Sequence, residues 1–300
     1  MTTAGTLPHP RIGAVGVSSS FGTFGELLQG VLPEEDGDFL VTLPVARWTM
    51  ARFQETPGTR ALTVRPAHKT KARRLVEMIV ADLPEPVGGL LTLDSTLPEG
   101  KGLASSSADL VATARAVGNA LGMAMPPTRI EAYLARIEPT DGVLYPGIVA
   151  FHHRSVRLRA RLGSLPSMAV VSIDEGGTVD TVRFNRVPKP FTGADKREYT
   201  RLLAGLADAV AAGDLPEVGR IATRSAELNQ VLRRKRELSS MIEICGAVGG
   251  LGVVVGHSGT TLGILLDLAD PSCTGRLAAA ARACGQLAGN VTVFHTLSFR

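Results

Sequence analysis

Long apolar segments are the first feature that this sequence of 300 residues lacks. No stretch approaches the roughly 18 consecutive apolar residues that a membrane-spanning helix needs. Residues 1–10 also lack the apolar core of a secretion signal. The sequence therefore predicts a soluble, cytoplasmic protein that has no membrane partner.

Cysteine and aromatic residues are scarce as well. The three cysteines are odd in number and their spacings match no metal-binding or redox motif, so reduced thiols are expected. Aromatic residues make up only 4% of the chain. Because proteins that bind single-stranded nucleic acid stack bases on such side chains, no nucleic-acid partner is expected. The net charge of +4 is a mild excess that suits an anionic ligand without requiring one.

Apolar residues, in contrast, make up 44% of the chain and charged residues 20%. This composition supports a large core, and the length allows two domains. Hydrophobic periodicity predicts a mixture of strands and helices, and no motif recurs at a fixed period. Strands are predicted over 12–17, 39–52 with an interruption at Pro44, 61–65, 89–93, 149–162, 168–173 and 290–299, and helices over 69–82, 110–121, 129–137, 197–212, 215–235, 241–248 and 271–288.

A glycine-containing loop connects the strand at 89–93 to the helix that starts near residue 105. The first turn of a helix has unpaired backbone N–H groups, and the helix dipole favours negative charge there. Gly100 and Gly102 let a phosphate approach the backbone, and three serines add hydroxyls that can bind phosphate or magnesium. The loop therefore predicts an anion site, with a serine-capped helix as the simpler alternative. It is not a Walker A loop, because Ser95 stands where that motif needs its first glycine.

The segment from Pro98 to Ala108 resembles the central motif of the GHMP kinases, the family of galactokinase, homoserine kinase and mevalonate kinase. The family pattern Pro-x-x-x-Gly-Leu-x-Ser-Ser-(Ala/Ser)-Ala is matched at every fixed position. The resemblance implies a kinase that uses ATP and Mg²⁺ to phosphorylate a hydroxyl group. The residues that it implies for ATP are Pro98, Gly100, Lys101, Gly102, Leu103, Ala104, Ser105, Ser106 and Ser107, and Lys101 is also expected to stabilise charge on the phosphates.

A second glycine-rich segment, residues 18–30, is predicted to break regular structure, because it has three glycines between residues 22 and 30. Its sequence Gly-Glu-Leu-Leu-Gln-Gly at 25–30 resembles the corresponding segment of the L-threonine kinases that serve cobalamin synthesis. Those kinases usually have a cysteine just before the Gly-Glu pair, where this chain has Thr23 and Phe24. The resemblance implies that Glu26, Gln29 and Gly30 bind the phosphate acceptor.

The segment Glu-Pro-Thr-Asp at 138–141 has the chemistry of a type I turn, and a plain turn is one interpretation. It also resembles the threonine-kinase version of a family segment whose aspartate acts as the base. That resemblance implies Asp141 as the base and Thr140 as a contact of the acceptor. It further implies that Ser106 binds magnesium together with Glu131 or Glu138.

A third glycine-rich stretch, Gly-His-Ser-Gly at 256–259, lies in the turn of a β-hairpin predicted over 249–266. It resembles the third family motif, a Ser-Gly loop near the phosphates and the acceptor, and so implies Ser258 and Gly259 as contacts of the acceptor. It also comes close to the Gly-x-Ser-x-Gly motif of hydrolases, but Thr260 replaces the last glycine and the serine precedes a strand.

Two basic runs and a histidine pair are predicted to have structural positions. The basic residues between 69 and 74 are predicted to face solvent, and those at 233–236 to end a helix whose dipole favours cations. His152 and His153 are adjacent on a predicted strand, so their side chains point to opposite faces and do not favour a metal site.

The resemblance implies an α+β fold of two domains with a cleft between them. Residues 1–163 are expected to form an N-terminal ATP-binding domain like domain 2 of ribosomal protein S5, and residues 164–300 a ferredoxin-like C-terminal domain. The expected function is phosphorylation of L-threonine or a related hydroxy amino acid. A kinase for homoserine, a sugar or an isoprenoid alcohol and a non-catalytic nucleotide or amino-acid sensor are the alternatives, and a homodimer is left open.

Overall fold

The structure is a computed structural model that describes residues 13–177, 189–257 and 259–299. The tail predicted at residues 1–12 and the predicted acceptor contact Ser258 lie outside the described residues. The strands are β1 (Val15–Val31), β2 (Asp38–Pro57), β3 (Leu62–Arg65), β4 (Val87–Ser95), β5 (Ile148–His152), β6 (Arg157–Gly163), β7 (Met168–Asp174), β8 (Gly252–Val255), β9 (Thr261–Asp267) and β10 (Val291–His295). The helices are α1 (Thr70–Ala81), α2 (Ser105–Leu121), α3 (Pro127–Leu134), α4 (Gly193–Ala212), α5 (Leu215–Leu228), α6 (Leu238–Val248) and α7 (Cys273–Ala288), with a 3₁₀ turn at Asn229–Val231.

All of these strands belong to one sheet. Eight of them follow the order β10-β7-β9-β8-β1-β2-β4-β3, and β5 pairs with β2 and with β6. Every pairing is antiparallel except that of β3 with β4. β1 pairs with β2 over most of its length, and it meets β8 where Glu26 lies opposite Val255. β1 therefore joins the part of the sheet built from the first half of the chain to the part built from the second half.

The hydrophobic core is continuous across that joint. One buried cluster contains Phe24 and Leu28 of β1 together with Tyr199 of α4, Val254 of β8 and Phe294 of β10. The predicted domain boundary at 163 and 164 lies between β6 and β7, so the two predicted domains share this cluster. The division of the chain at that point stays a prediction.

The predicted α+β fold is confirmed, and so are most of the predicted helices. In α1, for example, Leu75, Val76, Ile79 and Val80 are buried as the periodicity predicts. Among the helices of the described residues, none has both the length and the apolar character that crossing a membrane would require.

The prediction that residues 18–30 break regular structure is wrong. β1 continues through them, with irregularities in its pairing to β2 between Phe21 and Gly22 and on both sides of Glu26. These irregularities absorb the glycines without ending the strand. As a result Glu26 lies on a central strand, between Thr42 of β2 and Val255 of β8.

Four further element predictions need correction. Pro44 does not interrupt β2, and its carbonyl accepts a hydrogen bond from the N–H of Leu297. The single strand predicted over 149–162 is a hairpin of β5 and β6. The helix predicted over 215–235 ends at Leu228, and the strand predicted over 290–299 ends at His295.

Candidate active site

The glycine loop and the first turn of α2 line one side of a cleft, at Gly100, Gly102 and 104–107. The residue before α2 is Ala104, with φ of 56°, and no side chain caps the helix. The serines of the first turn are therefore not used as caps, which contradicts the simpler interpretation of this segment. The uncapped N–H groups of the first turn are available to an anion in the cleft.

Hydrogen bonds from two strands hold this loop in place. The N–H of Thr23 donates to the carbonyl of Leu103 at 3.3 Å, and the N–H of Gly25 donates to that of Gly102 at 3.2 Å. On the other side, Thr261 Oγ1 donates to the carbonyl of Lys101 at 3.0 Å. The loop thus lies between β1 and the β8–β9 hairpin.

Ser107 connects α2 to the segment 138–141. Its Oγ atom donates to Oδ2 of Asp141 at 3.2 Å and accepts from the N–H of Asp141 at 3.0 Å. Burial raises the pKa of Asp141 to about 6, the Ser107 hydrogen bond opposes this increase, and the charge of Glu138 adds to it. Asp141 therefore has the pKa of a group that exchanges protons near neutral pH.

Ser106 and Lys71 both contact the buried carboxylate of Glu138. Ser106 Oγ donates to Oε1, and Lys71 Nζ lies 2.5 Å from Oε2. The hydroxyl and the carboxylate are the oxygen ligands that Mg²⁺ takes from proteins, since it keeps waters and phosphates as its other ligands. Ser106 and Glu138 thus fit the magnesium site that the sequence predicts. No group of three or more His, Cys, Asp or Glu side chains is placed to hold a metal ion in the part of the chain that the structure describes.

The second predicted magnesium ligand, Glu131, lies away from the cleft. Its Oε1 atom accepts hydrogen bonds from the Tyr145 hydroxyl at 2.8 Å and from the N–H of Leu158 at 2.9 Å. Glu131 therefore supports the β5–β6 hairpin, and Glu138 is the carboxylate that reaches Ser106.

Lys101 and Leu103 of the glycine loop also point away from the cleft. Lys101 Nζ forms an ion pair with Asp174 at 2.6 Å and donates to the carbonyl of Gly177 at 3.1 Å. Leu103 is buried in the core, and Pro98 does not line the cleft. In this structure the predicted role of Lys101 on the phosphates would require its ion pair with Asp174 to break.

The prediction that the basic residues at the start of α1 face solvent is wrong for Lys69, whose side chain is 11% exposed, whereas Lys71 is 46% exposed. Lys69 Nζ lies 2.5 Å from Asp109 Oδ2 on α2 and 2.6 Å from Glu99 Oε1 on the glycine loop. Lys71 lines the cleft and contacts Glu138. The two lysines therefore join α1 to the glycine loop, to α2 and to the segment 138–141.

Glu26, His153 and His257 also line the cleft. Glu26 is 4% exposed, and its Oε2 atom has no hydrogen-bond partner among the described residues. Burial raises the pKa of Glu26 well above its usual value, and the nearby charge of Asp141 raises it further. The rings of His153 and His257 meet edge to face with centroids 4.8 Å apart.

The other predicted acceptor residues have different positions. Thr140 lines the cleft, with its N–H bound to the carbonyl of His153 at 3.0 Å. Gln29 does not line the cleft. Its Oε1 atom contacts Nδ1 of His257 at 2.5 Å instead. Gly30 packs closely against the ring of Tyr199 in the core. Gly259 lies against Gly102 in the glycine loop.

The basic run at 233–236 is predicted to end a helix, but that helix ends at Leu228, and two residues of the run bind the backbone of Gly259 instead. Lys235 Nζ donates to the carbonyl of Gly259 at 2.5 Å, and Arg233 Nε donates to the same oxygen at 3.0 Å. Lys235 is 4% exposed, and burial together with the charge of Arg233 lowers its pKa to about 8.

Sequence reasoning thus missed Lys71, His153, His257 and Lys235 as parts of the site. A signal existed for His257, which lies inside the Gly-His-Ser-Gly stretch that resembles the third family motif. No local pattern distinguishes the other three from ordinary basic or strand residues, because only the tertiary fold brings Lys71 and His153 to the cleft and Lys235 to the carbonyl of Gly259.

Two family models match the chain. Residues 70–145 match the GHMP kinases N-terminal domain, and residues 206–272 match the GHMP kinases C-terminal domain. The first match contains the glycine loop, Glu138 and Asp141, and the second contains Lys235 and His257.

Similar sequences and similar folds agree with these matches. The L-threonine kinase of Citrobacter freundii is 28% identical over 81% of this chain and 83% of its own length, and that of Salmonella typhimurium is 26% identical over 84% and 83%. The homoserine kinase of Cytophaga hutchinsonii has a similar fold, with a TM-score of 0.71 and 16% identity, and each chain is covered to 98%. The mevalonate kinase of L. major, solved with R-mevalonate, has a TM-score of 0.70 and 17% identity over 97% of this chain and 99% of its own.

Proposed function

Because this chain carries both the N-terminal and the C-terminal domain of the GHMP kinases, we propose that it transfers the γ-phosphoryl group of ATP to the hydroxyl of L-threonine. The observation that carries the choice of acceptor is the buried carboxylate of Glu26. One of its oxygens has no hydrogen-bond partner among the described residues, and it lines the same cleft as Asp141. A buried carboxylate of this kind is stabilised by a cation that donates hydrogen bonds to it.

L-Threonine supplies such a cation, its ammonium group, close to the hydroxyl that would be phosphorylated. Its ammonium and its hydroxyl are on adjacent carbons, so an ammonium at Glu26 places the hydroxyl close by. Glu26 and Asp141 are near enough that the charge of Asp141 raises the pKa of Glu26. A pair of neighbouring carboxylates thus suits a compound with neighbouring ammonium and hydroxyl groups. Sugars and mevalonate have no ammonium group.

The reaction needs ATP positioned with its γ-phosphate towards that hydroxyl. The uncapped first turn of α2 and the glycine loop bind the phosphates, and Ser106 with Glu138 would hold the magnesium ion. The ion supplies positive charge that neutralises the triphosphate. Asp141 takes the proton of the acceptor hydroxyl as the oxygen attacks phosphorus, and ADP leaves.

Purified protein incubated with Mg-ATP and single acceptors tests this proposal. We expect ADP release and a phosphomonoester signal in ³¹P NMR with L-threonine, and much weaker turnover with L-homoserine, mevalonate or galactose. Turnover of a sugar or an isoprenoid alcohol without L-threonine would refute the acceptor. Binding of ATP and L-threonine without any ADP release would indicate a sensor.

A further inference from the structure

Lys71 is the one lysine among the described residues that lines the cleft. It belongs to the first turn of α1, and its Nζ atom lies 2.5 Å from Oε2 of Glu138. The side chain of Lys71 is partly exposed, whereas that of Glu138 is buried. The lysine thus stays accessible from the cleft while it contacts a buried carboxylate.

The ammonium group of Lys71 has more donors than partners. A lysine carries three N–H donors. Within the described part of the chain, Glu138 is the single partner of this ammonium group. Lys71 can therefore donate to a ligand in the cleft without giving up its ion pair.

Two neighbouring lysines are held more fully by protein groups. Lys69 Nζ lies between two carboxylates, at 2.5 Å from Asp109 and 2.6 Å from Glu99. Lys101 Nζ pairs with Asp174, outside the cleft. Neither lysine can reach a ligand in the cleft unless these ion pairs break.

The first turn of α1 is an unfavourable place for a lysine. This turn contains no acidic residue, and no side chain caps it. The helix dipole disfavours positive charge at this end of a helix. A residue that breaks a local rule in this way is typical of a functional site. Glu138 offsets part of the cost, and an anion in the cleft would offset more of it.

The charges of the cleft also favour a cation at this point. Three acidic side chains line it, Glu26, Glu138 and Asp141, and a triphosphate would add further negative charge. A magnesium ion at Ser106 and Glu138 would offset part of the repulsion. Ser106 contacts one oxygen of Glu138 and Lys71 contacts the other, so the carboxylate has an oxygen for each cation.

We propose that Lys71 donates hydrogen bonds to the phosphates of bound ATP while it stays paired with Glu138. Lys71 then supplies the positive charge on the phosphates that the family resemblance implies for Lys101. The proposal rests on the proposed function only in taking ATP as the phosphoryl donor, and it does not depend on the acceptor.

ATP binding without magnesium isolates this contact, because Glu138 then has no metal ion to hold. Dissociation constants are measured by calorimetry in EDTA. We expect Lys71→Met to bind ATP about tenfold more weakly than the wild type, or worse. Lys71→Arg should stay within about threefold of the wild type, because a guanidinium group also donates to phosphate. Lys101→Met should change the affinity less than about twofold. Lys196→Met, on α4 outside the cleft, is the matched control and should equal the wild type.

A second pair of variants tests whether Lys71 acts only by neutralising Glu138. Lys71→Met leaves a buried carboxylate without its cation, which can disturb the site or the fold. In Glu138→Gln that charge is absent, so adding Lys71→Met to it tests the lysine by itself. We expect the loss of about tenfold in ATP affinity to persist in the Glu138→Gln background.

Adenosine distinguishes a lost phosphate contact from a distorted site. It has no phosphate, so its affinity, measured by competition with ATP, should change less than about twofold in Lys71→Met. Equal losses for adenosine and ATP would overturn the inference.

The remaining outcomes separate this inference from the proposed function. If Lys71→Met does not weaken ATP binding in the Glu138→Gln background, or if Lys101→Met causes the loss instead, the inference is wrong while phosphorylation of L-threonine stands. A wild type that binds ATP but transfers no phosphate to L-threonine would refute the proposed function and leave the role of Lys71 in place. A wild type that binds no ATP would refute both.

Discussion

At the scale of single residues, Asp141 is the group whose ionisation should control the rate. A base must be ionised to take a proton, and Asp141 is ionised above its pKa of about 6. We therefore expect kcat/KM to fall as the pH drops below 6, by about tenfold for each pH unit at the acid end. Asp141→Asn should lower kcat by roughly 100-fold or more and remove this acid limb.

The control for this pH profile is Asp94→Asn, which changes an exposed carboxylate on β4. It should leave both kcat and the acid limb unchanged. A loss in Asp141→Asn below about threefold would mean that the hydroxyl attacks without a base and that Asp141 is only a turn residue.

Glu26 should reduce the stability of the free protein. Its pKa is raised in the folded state, so the folded protein binds this proton more tightly than the unfolded chain does. Stability is then lost as the pH rises from the unfolded pKa towards the folded one. Glu26→Gln should therefore increase the free energy of unfolding by roughly 1–3 kcal/mol at pH 8, with a smaller gain as the pH falls towards 4.

Urea unfolding of wild type and Glu26→Gln at pH 5 and pH 8 measures this difference. Glu243→Gln on α6, an exposed position, should show no such change between the two values. A Glu26→Gln protein that is less stable than the wild type at pH 8 would show that the carboxylate is already stabilised in the free enzyme.

The sequence predicted the residues of the site that lie within short motifs and missed those that the fold brings in. Asp141, Glu138 and Ser106 follow from segments whose local pattern resembles a family motif. Lys71 could not be predicted, because its position on α1 matters only once that helix lies against Glu138. Gln29 is predicted to contact the acceptor because its local sequence does not reveal that its side chain contacts His257 and does not line the cleft.

At the scale of elements, the contact between the glycine loop and the β8–β9 hairpin should be sensitive to one methyl group. Gly102 has φ of 83°, and a Cβ atom there would lie 2.9 Å from Cα of Gly259. Gly102→Ala should therefore destabilise the loop in two ways. The left-handed conformation costs a non-glycine residue about 1 kcal/mol, and the new Cβ atom also clashes with the backbone of Gly259. We expect it to weaken ATP binding at least tenfold, measured by calorimetry.

Gly58 offers a matched control for that substitution. It has a similar φ of 75°, but a Cβ atom there would meet nothing within 4 Å. Gly58→Ala should lower the free energy of unfolding only by the cost of the left-handed conformation, about 1 kcal/mol, and should leave ATP affinity unchanged. Equal ATP affinity in both variants would count against the glycine loop as the phosphate site.

The helices could be predicted better than the central strand for a physical reason. The period of buried residues in α1 is a local property, and it predicts both the helix and its buried face. The glycines of β1 depend on the tertiary fold instead. Gly30, for example, leaves room for the ring of Tyr199, which a Cβ atom would approach to 2.5 Å. The sequence around such a glycine looks the same as the sequence around a glycine in a loop, so the local pattern cannot distinguish the two.

At the scale of the whole molecule, the shared core predicts a single unfolding transition. The one tryptophan, Trp48, is on β2 in the first half, and all three cysteines are buried in the second half. Trp48 fluorescence and thiol reactivity therefore report the two halves separately. Because the buried cluster around Phe24 and Val254 contains residues from both halves, we expect both probes to give the same midpoint in urea.

The two probes would give different midpoints if residues 1–163 and 164–300 unfolded independently. Phe24→Ala is the variant that tests the role of the shared cluster. It should lower the free energy of unfolding by about 3–5 kcal/mol, because Phe24 is fully buried. The urea midpoint should therefore fall for both probes together, without separating into two transitions.

The central position of β1 has a consequence for any attempt to divide the protein. β1 lies between β2 and β8, so a chain cut between residues 163 and 164 would uncover the side of β1 that faces β8 and the matching side of β8. Uncovered strand edges act as templates on which other chains add strands, and the exposed apolar cluster would favour this association. Each half produced alone should therefore aggregate. The two halves produced together should form one soluble complex, because each supplies the strand that covers the exposed edge of the other.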